Sequence, residues 1–321
     1  MEKMIDQRRP PSHASWETIL RCPLRCKHCG LSAGVAQPDE LTNKQAKLML
    51  NSLSRFGIEN LVISGGEFTF RVDWQIILDC ALKLFRSVRL ITCGWLKDSL
   101  FEQLKNIEHL EKLTVSVSLD GLEDQHDLRR GAGSFQAVMD TLSCQTNIPR
   151  TVLTTVDNKN IYDLSNILEL CLRLNVSVWG IQICLPAGRM DPNLFLGQEK
   201  IQLLAEQIKR WQNICEDSLI IEPDDCFANL FPERSLGSWT GCPAGRNLVT
   251  ILNNGLVTGC PTMSDRICGD IRQEDISEIW NSLQMASLAQ EIPGECLACG
   301  QCFGGCKAVS KLCNQQFCSH T

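Results

Sequence analysis

Between Trp16 and Ile183, short β-type runs alternate with helical segments six times, and no other feature narrows the possible folds as far. Strand-like runs fall at 15–20, 60–64, 88–92, 113–119, 151–156 and 177–184, with helical stretches at 43–56, 72–85, 99–107, 135–144 and 161–174. In the last of these, Ile161, Leu164, Leu168, Cys171 and Leu174 recur at helical spacing, a stripe that packs on a sheet. Thr42 and Gln45 stand in capping-box spacing at the start of the first. β/α units in series call for parallel strands joined by right-handed crossovers. Six units make either an open doubly wound sheet or a partial barrel, and in both the loops at the carboxyl ends of the strands carry the chemistry. A further helix is expected at 198–214, after the turn-rich 186–192. From about Leu219 the alternation is expected to stop. The tail then carries a hairpin signal, 248–252, Asn253-Asn254-Gly255 and 256–258, and a short helix at 275–282 with Asp275 and Glu278 as an N-cap pair.

The 321 residues suffice for one large domain plus a smaller one. The 31 Lys and Arg against 37 Asp and Glu leave a net charge of −6, so no basic surface points to nucleic acid or an anionic membrane. The first fifteen residues are polar, with Arg8-Arg9-Pro10-Pro11 and no apolar core. No apolar run approaches the roughly 18 residues a membrane span needs, and a cytoplasmic location is expected. In such a chain, 19 cysteines read as metal ligands or small buried hydrophobes rather than disulfides. Cys80, Cys144, Cys171, Cys184 and Cys215 sit singly among apolar residues and read as buried thiols. Most of the others crowd toward the C terminus and need another explanation.

Cys22, Cys26 and Cys29 lie in the run Arg21-Cys22-Pro23-Leu24-Arg25-Cys26-Lys27-His28-Cys29, directly after the first strand. Three thiolates spaced CxxxCxxC cannot fill the four iron corners of a [4Fe–4S] cube, which normally takes four cysteines. One iron is then left open for a small molecule. A zinc knuckle is the competing reading, but zinc sites usually show two paired halves and no second pair lies near. Gly65-Gly66-Glu67 ends the second strand, where glycines let a backbone approach a ligand and a carboxylate can accept from an ammonium group. Thr92-Cys93-Gly94 ends the third, and Cys93 reads as structural. The fourth runs Val115-Ser116-Val117-Ser118-Leu119-Asp120-Gly121, followed by His126-Asp127-Leu128-Arg129-Arg130-Gly131 and Gly133-Ser134-Phe135. His126 reads as a local structural residue rather than a base.

This set resembles the radical S-adenosylmethionine (radical SAM) family. The resemblance implies that the open iron is chelated by the amino and carboxylate groups of SAM, and that Gly65, Gly66 and Glu67 hold the methionyl amino group. It implies that Ser118, Asp120 and Arg130 contact the SAM ribose and carboxylate, with Arg129 a rival for Arg130 because the spacing before Gly133 is one residue short. Pro186-Ala187-Gly188-Arg189 resembles the family's loop beneath the adenine. The fold implied is an α/β partial (β/α)6 TIM-type barrel over 13–217, after an N-terminal tail of 1–12, followed by a small cysteine-rich SPASM domain over 218–321.

The C-terminal cysteines carry the second half of the resemblance. Cys242, twelve residues, Gly255, four residues and Cys260 come first, then Cys296-x2-Cys299-x2-Cys302-x3-Cys306, Cys313 and Cys318. This is similar to the SPASM extension, which holds one or two auxiliary [4Fe–4S] clusters. Relatives usually have five residues where this chain has two between Cys299 and Cys302. The shorter spacing equals the bacterial ferredoxin run, whose fourth cysteine crosses to another cluster. The resemblance implies Cys296, Cys299, Cys302 and Cys318 on the outer cluster and Cys306, Cys242 and Cys260 on the inner one. Cys313 competes with Cys318, and the inner cluster's fourth position is either open or filled by Cys226 or Cys268. A structural zinc pair is the alternative for this region.

What the resemblance implies is an enzyme. An electron reaches the Cys22/Cys26/Cys29 cluster, the S–C5′ bond of SAM breaks to give methionine and a 5′-deoxyadenosyl radical, and the radical abstracts hydrogen from an unactivated C–H bond. The family's commonest substrates are peptides or protein side chains, which gain crosslinks, thioethers, epimerised centres or a formylglycine. Peptide maturation is the first expectation. Oxidation or rearrangement of a small metabolite, such as an aminocyclitol or a haem precursor, is the second. A non-catalytic Fe–S electron carrier or zinc scaffold is the third. The expected partners are the substrate and a reductant such as flavodoxin or ferredoxin. With 21 residues ahead of Cys22, a separate chain is expected to supply leader-peptide binding.

Overall fold

The structure of the chain, a computed structural model, describes residues 8–95, 100–231, 241–290 and 305–313, with 228 and 311–313 as backbone alone. Among the described residues, one sheet holds β1 (His13–Glu17), β2 (Asn60–Ser64), β3 (Ser87–Thr92), β4 (Leu113–Ser118), β5 (Arg150–Val156), β6 (Val178–Ile183), β7 (Ile220–Pro223), β8 (Leu248–Ile251), β9 (Leu256–Thr258) and β10 (Gly269–Asp270). The helices are α1 (Asn43–Phe56), α2 (Trp74–Leu84), α3 (Leu100–Leu104), α4 (Glu123–Arg130), α5 (Ser134–Ser143), α6 (Leu164–Arg173), α7 (Gln198–Cys215), α8 (Ile276–Trp280), α9 (Leu283–Gln290) and α10 (Lys307–Cys313).

The strand order is β10-β9-β8-β1-β2-β3-β4-β5-β6-β7, and every pair from β1 to β7 is parallel. This order decides between the two folds the sequence allows. A doubly wound sheet needs a point where the strand order reverses. From β1 to β7 consecutive strands are always neighbours, so right-handed crossovers send the helices between them to the same face and the sheet curls into a partial barrel. The outer face is the core. Trp16, Leu61, Ile63, Leu90, Val115, Val117, Trp179 and Ile181 are buried with Leu50, Leu53, Ile77 and Leu78 of α1 and α2. Each such side chain contributes about 1.5–3 kcal/mol relative to exposure. The alternate residues of β4, Ser116 and Ser118, point the other way, as the period of two requires.

Local sequence sets the ends of these elements. Thr42 and Gln45 close the expected capping box, with the Thr42 amide donating to Gln45 Oε1 at 3.0 Å, and Gly57 at φ 101° ends α1. Asp275 and Glu278 form the second box at the start of α8.

The alternation does not stop at Leu219, which corrects the sequence expectation. Ile220–Pro223 pairs with β6 and extends the sheet, and Gln212 Nε2 of α7 donates to Ile221 O at 2.7 Å. Four residues ending in proline give too little pattern to announce a strand, and Pro223 suits the edge it occupies. The helix α4 also went unforeseen: Glu-Asp-Gln-His-Asp-Leu-Arg-Arg has no apolar stripe. At the opposite edge the expected hairpin forms, and β8 lies parallel to β1 with His13 opposite Leu248. Cys242, ahead of β8, and Cys260, after β9, are thereby carried to the barrel beside the first strand. No described helix is long and apolar enough to cross a membrane.

Candidate active site

Cys22, Cys26 and Cys29 follow β1 on a loop pinned by its own backbone and by three other segments. The Cys22 amide donates to Gly34 O, and Gly34 N donates to Leu20 O at 2.8 Å. Lys27 N donates to Arg129 O at 2.9 Å. Arg189 donates from Nε to Cys26 O at 3.0 Å and from Nη1 to Ala33 O at 2.6 Å, while its amide donates to Cys29 O at 3.1 Å. Gly188 beside it has φ 59°, and a Cβ there would collide with the carbonyl oxygens of Cys29 and Gly30. The 186–189 turn thus grips the cysteine loop from below.

The Gly65-Gly66 pair works from the other side. Gly66 N donates to Ile19 O at 2.6 Å and Glu67 N to Arg21 O at 2.9 Å, so the end of β2 lies directly against the cysteine loop. A Cβ on Gly65 would sit 2.6 Å from Ile19 O. The glycines therefore allow two backbones to touch, and both also line the cavity.

That cavity, about 380 Å³, sits on the concave side of the sheet at the carboxyl ends of the strands. Cys22, Cys26, Cys29, Gly65, Gly66, Ser118 and Arg130 line it, which brings seven of the sequence-predicted residues together. Glu67 and Asp120 do not line it. The Glu67 carboxylate is fully buried and accepts from Thr69 Oγ1 at 3.0 Å, Thr92 Oγ1 at 2.8 Å and Cys93 N at 2.9 Å. Asp120, also fully buried, accepts from Arg130 Nε at 2.6 Å, Thr155 N at 2.9 Å and His28 Nε2 at 3.1 Å. Both carboxylates stand behind the wall and brace residues that face inward.

The two arginines face different ways. Arg129 turns away, pairing through Nη1 with Asp157 Oδ2 at 2.5 Å and through Nη2 with Thr155 O at 3.1 Å. Arg130 is the one on the wall. Burial would raise the Asp120 carboxyl, but Arg130 and then His28 hold it well below the usual carboxylate range, so the pair stays ionised.

Several residues on the wall carried no usable sequence signal of their own. Cys93, expected to be structural, packs with Cys22, Cys26, Cys29, Leu24 and Trp95 and hydrogen-bonds to Cys22. Cys184, expected among the buried apolar thiols, lines the cavity at the end of β6, and Cys80 and Cys144 are half-buried. Thr155, Gln182 and Asp224 also face in. All sit at or just past strand carboxyl ends, the one rule that could have nominated them. At the far end Cys242, Cys260 and Cys306 line the same cavity. Cys296, Cys299, Cys302 and Cys318 lie outside the described residues, as does the side chain of Cys313.

These residues fit a cluster with a small-molecule ligand. His28, buried between two of the triad cysteines, uses Nε2 on Asp120 and leaves Nδ1 without a partner among the described residues. Burial lowers its pKa despite Asp120, so Nδ1 is a free acceptor at the wall. Arg130 spends only Nε on Asp120, which leaves the rest of its fork for an anionic group.

Residues 16–171 match the profile of the radical SAM superfamily, and residues 242–303 that of SPASM, an iron–sulfur cluster-binding domain. The chain carries a radical SAM domain and a SPASM domain. Its cofactors are accordingly a [4Fe–4S] cluster with SAM and auxiliary iron–sulfur clusters.

The chain is 26% identical to the sporulation killing factor maturation protein SkfB of Bacillus subtilis, over 94% of this chain and 70% of that one. It is 27% identical to the mycofactocin maturase MftC of Mycobacterium ulcerans, over 93% and 84%. Against the AdoMet-dependent heme synthase of Methanosarcina barkeri, identity is 23% over 95% and 93%. Among solved structures, Streptococcus suis SuiB bound to S-adenosylmethionine superposes with a TM-score of 0.75 at 16% identity, over 94% of this chain and 74% of that one, a likeness of fold.

Proposed function

We propose that this radical SAM enzyme modifies a peptide or a protein side chain. One observation carries the reading: a single cavity runs from Cys22, Cys26 and Cys29 to Cys242, Cys260 and Cys306, so a substrate side chain placed in it lies between two cluster sites. When bound, the three-cysteine cluster and SAM supply hydrogen-atom abstraction from an unactivated C–H bond. The chain's own residues bind, orient and shield. Cys22, Cys26 and Cys29 are the ligands of the SAM cluster. Gly65 and Gly66 present backbone to the methionyl end, Glu67 fixes the Thr92-Cys93 turn behind them, and Ser118 and Arg130 contact SAM with Asp120 holding Arg130 in place. Cys242, Cys260 and Cys306 are ligands of the inner auxiliary cluster, and Cys296, Cys299, Cys302 and Cys318 of the outer one. The barrel wall keeps bulk water from the reacting carbon.

The names of SkfB and MftC as maturation proteins support a peptide substrate; the heme synthases among the relatives favour a small tetrapyrrole as the second reading. A flavodoxin or ferredoxin would supply electrons in the cytoplasm, and a separate chain could bind a leader peptide.

The test is anaerobic reconstitution with dithionite and SAM, read as 5′-deoxyadenosine. Wild type should form it and Cys26→Ala should not; formation by Cys26→Ala would refute the reading. Incubation with peptides encoded beside the gene, and separately with haem precursors, followed by mass spectrometry, distinguishes the two substrate classes.

A further inference from the structure

A fourth thiol stands against the triad. Cys93, in the turn after β3, packs with Cys22, Cys26, Cys29 and Trp95 and lines the near end of the cavity. Its backbone is fixed. The Cys93 amide donates to Glu67 Oε2 at 2.9 Å, Gly94 N donates to Thr92 Oγ1 at 3.1 Å, and Gly94 O accepts from Thr141 Oγ1 at 3.3 Å. The side chain has two acceptors within reach, the Cys22 sulfur and the Glu67 carboxylate. Glu67 is already supplied: Oε2 takes Thr92 Oγ1 at 2.8 Å and the Cys93 amide, and Oε1 takes Thr69 Oγ1 at 3.0 Å. A thiol is a weak donor and competes poorly for that carboxylate, so its hydrogen goes to Cys22. An anion at Cys93 would face both Glu67 and Cys22, which makes Cys93 the partner that carries the hydrogen. Backbone amides of Leu24 and Ala33 also donate to triad sulfurs, to Cys22 and, at 3.4 Å, to Cys29. Cys93 differs from them in donating from a side chain, outside the cysteine loop.

We propose that the Cys93 thiol hydrogen-bonds to the Cys22 sulfur of the bound cluster and raises the reduction potential of that cluster, acting on it without being a ligand. This rests on the reading above that Cys22, Cys26 and Cys29 hold the SAM cluster. One-electron reduction adds negative charge, part of which spreads onto the coordinating sulfurs. A donor on one of those sulfurs stabilises the reduced form more than the oxidised one. The thiol is neutral, so it does this without adding charge beside the open iron. Glu67 acts one step further out, because it holds the Cys93 backbone where the thiol reaches Cys22. With Cys93 in place, a weaker one-electron reductant suffices to load the electron that SAM cleavage consumes.

The test is an anaerobic redox titration of the full reconstituted chain without SAM, followed by electron paramagnetic resonance. The SAM-cluster signal is the one missing from Cys26→Ala, and the signals that persist there serve as the internal reference. Cys93→Ala should make reduction of the SAM cluster about tenfold less favourable, a midpoint about 59 mV below wild type. Reference midpoints and iron content should not change. Cys93→Ser, which keeps a hydroxyl donor, should return toward wild type. If Cys93→Ala does not fold, Cys93→Val, which fills the place of the thiol without a donor, is read in the same way. Three results overturn the proposal: a Cys93→Ala midpoint equal to or above wild type, a shift shared by the reference signals, or a Cys93→Ser midpoint as low as that of Cys93→Ala. Loss of about four irons per chain in Cys93→Ala would make Cys93 a ligand and overturns it as well. SAM is then added to separate wild-type samples. A SAM-cluster signal that SAM leaves unaltered counts against the radical SAM reading, whereas the midpoints concern Cys93 alone.

Discussion

Arg130 Nε donates to Asp120 Oδ2 at 2.6 Å, and the two residues, one at the end of β4 and one at the end of α4, are both buried. The same carboxylate takes Thr155 N and His28 Nε2, so one group orients an arginine, a histidine and the end of β5 around the cavity. Asp120→Ala leaves Arg130 buried without its counter-ion, which should cost about 3–5 kcal/mol of stability. Urea unfolding would show this, and Asp120→Asn, which keeps acceptor capacity, should lose less. If Asp120→Ala unfolds at the wild-type midpoint, the carboxylate does not organise the wall.

The two neighbouring arginines should separate cleanly in their effects. Arg130→Gln removes the fork that faces the cavity and should weaken SAM binding about tenfold to a hundredfold, the scale of a charge-assisted contact. Arg129→Gln breaks the pair with Asp157 and should lower stability, with SAM affinity of the folded protein within about threefold of wild type, since its side chain does not line the cavity. Calorimetric titration with SAM, alongside thermal unfolding, reads both quantities. Equal affinity losses in the two variants would contradict the geometry.

Much of this arrangement was legible in the sequence, and the gaps have physical causes. Strands β1 to β6 and helix α1 carried apolar periodicity and caps strong enough to be placed, and strand carboxyl ends located the cavity. Polar α4 and the short strand β7 lacked a periodic signal, since tertiary contacts and not local pattern hold them. Motif residues identified the site but not the direction each side chain faces. Glu67 and Asp120 sit within the motifs yet brace the wall from behind, and Cys226 lies far from any cysteine run in sequence. Which thiols meet depends on β8 pairing with β1, a contact spanning more than two hundred residues.

Gly188 should tolerate no side chain. Its φ of 59° and the carbonyl oxygens of Cys29 and Gly30 at the Cβ position mean that Gly188→Ala must push the turn off the cysteine loop. The expected result is loss of the SAM-responsive cluster, seen as about four fewer irons per chain, with auxiliary signals retained. Arg189→Ala should act in the same direction, because it frees the carbonyls of Cys26 and Ala33. Full iron content in both variants would show that the 186–189 turn does not support the loop.

Stability should respond to pH through two buried groups of opposite sign. Glu17, at the end of β1, is buried with Oε1 unpartnered among the described residues, and burial pushes its carboxyl up to about 8 from 4.5. Between those values the folded chain binds the extra proton, so stability falls as pH rises, by about 1.4 kcal/mol per unit. His126 runs the other way. Its Nδ1 accepts from Asp120 N at 3.1 Å, which requires a neutral ring, and burial with Arg130 nearby lowers it from 6.5 to about 4. There the unfolded chain binds the extra proton, so stability rises with pH through that window. The slopes oppose each other from about pH 4.5 to 6.5, and of the two only Glu17 acts from about 6.5 to 8. Urea midpoints should therefore be nearly level over the lower range and decline over the upper. Glu17→Gln should abolish the decline, and His126→Gln should extend it down toward pH 4.5. A wild-type midpoint that climbs between 6.5 and 8, or a decline that survives Glu17→Gln, would mean that another group titrates in that range.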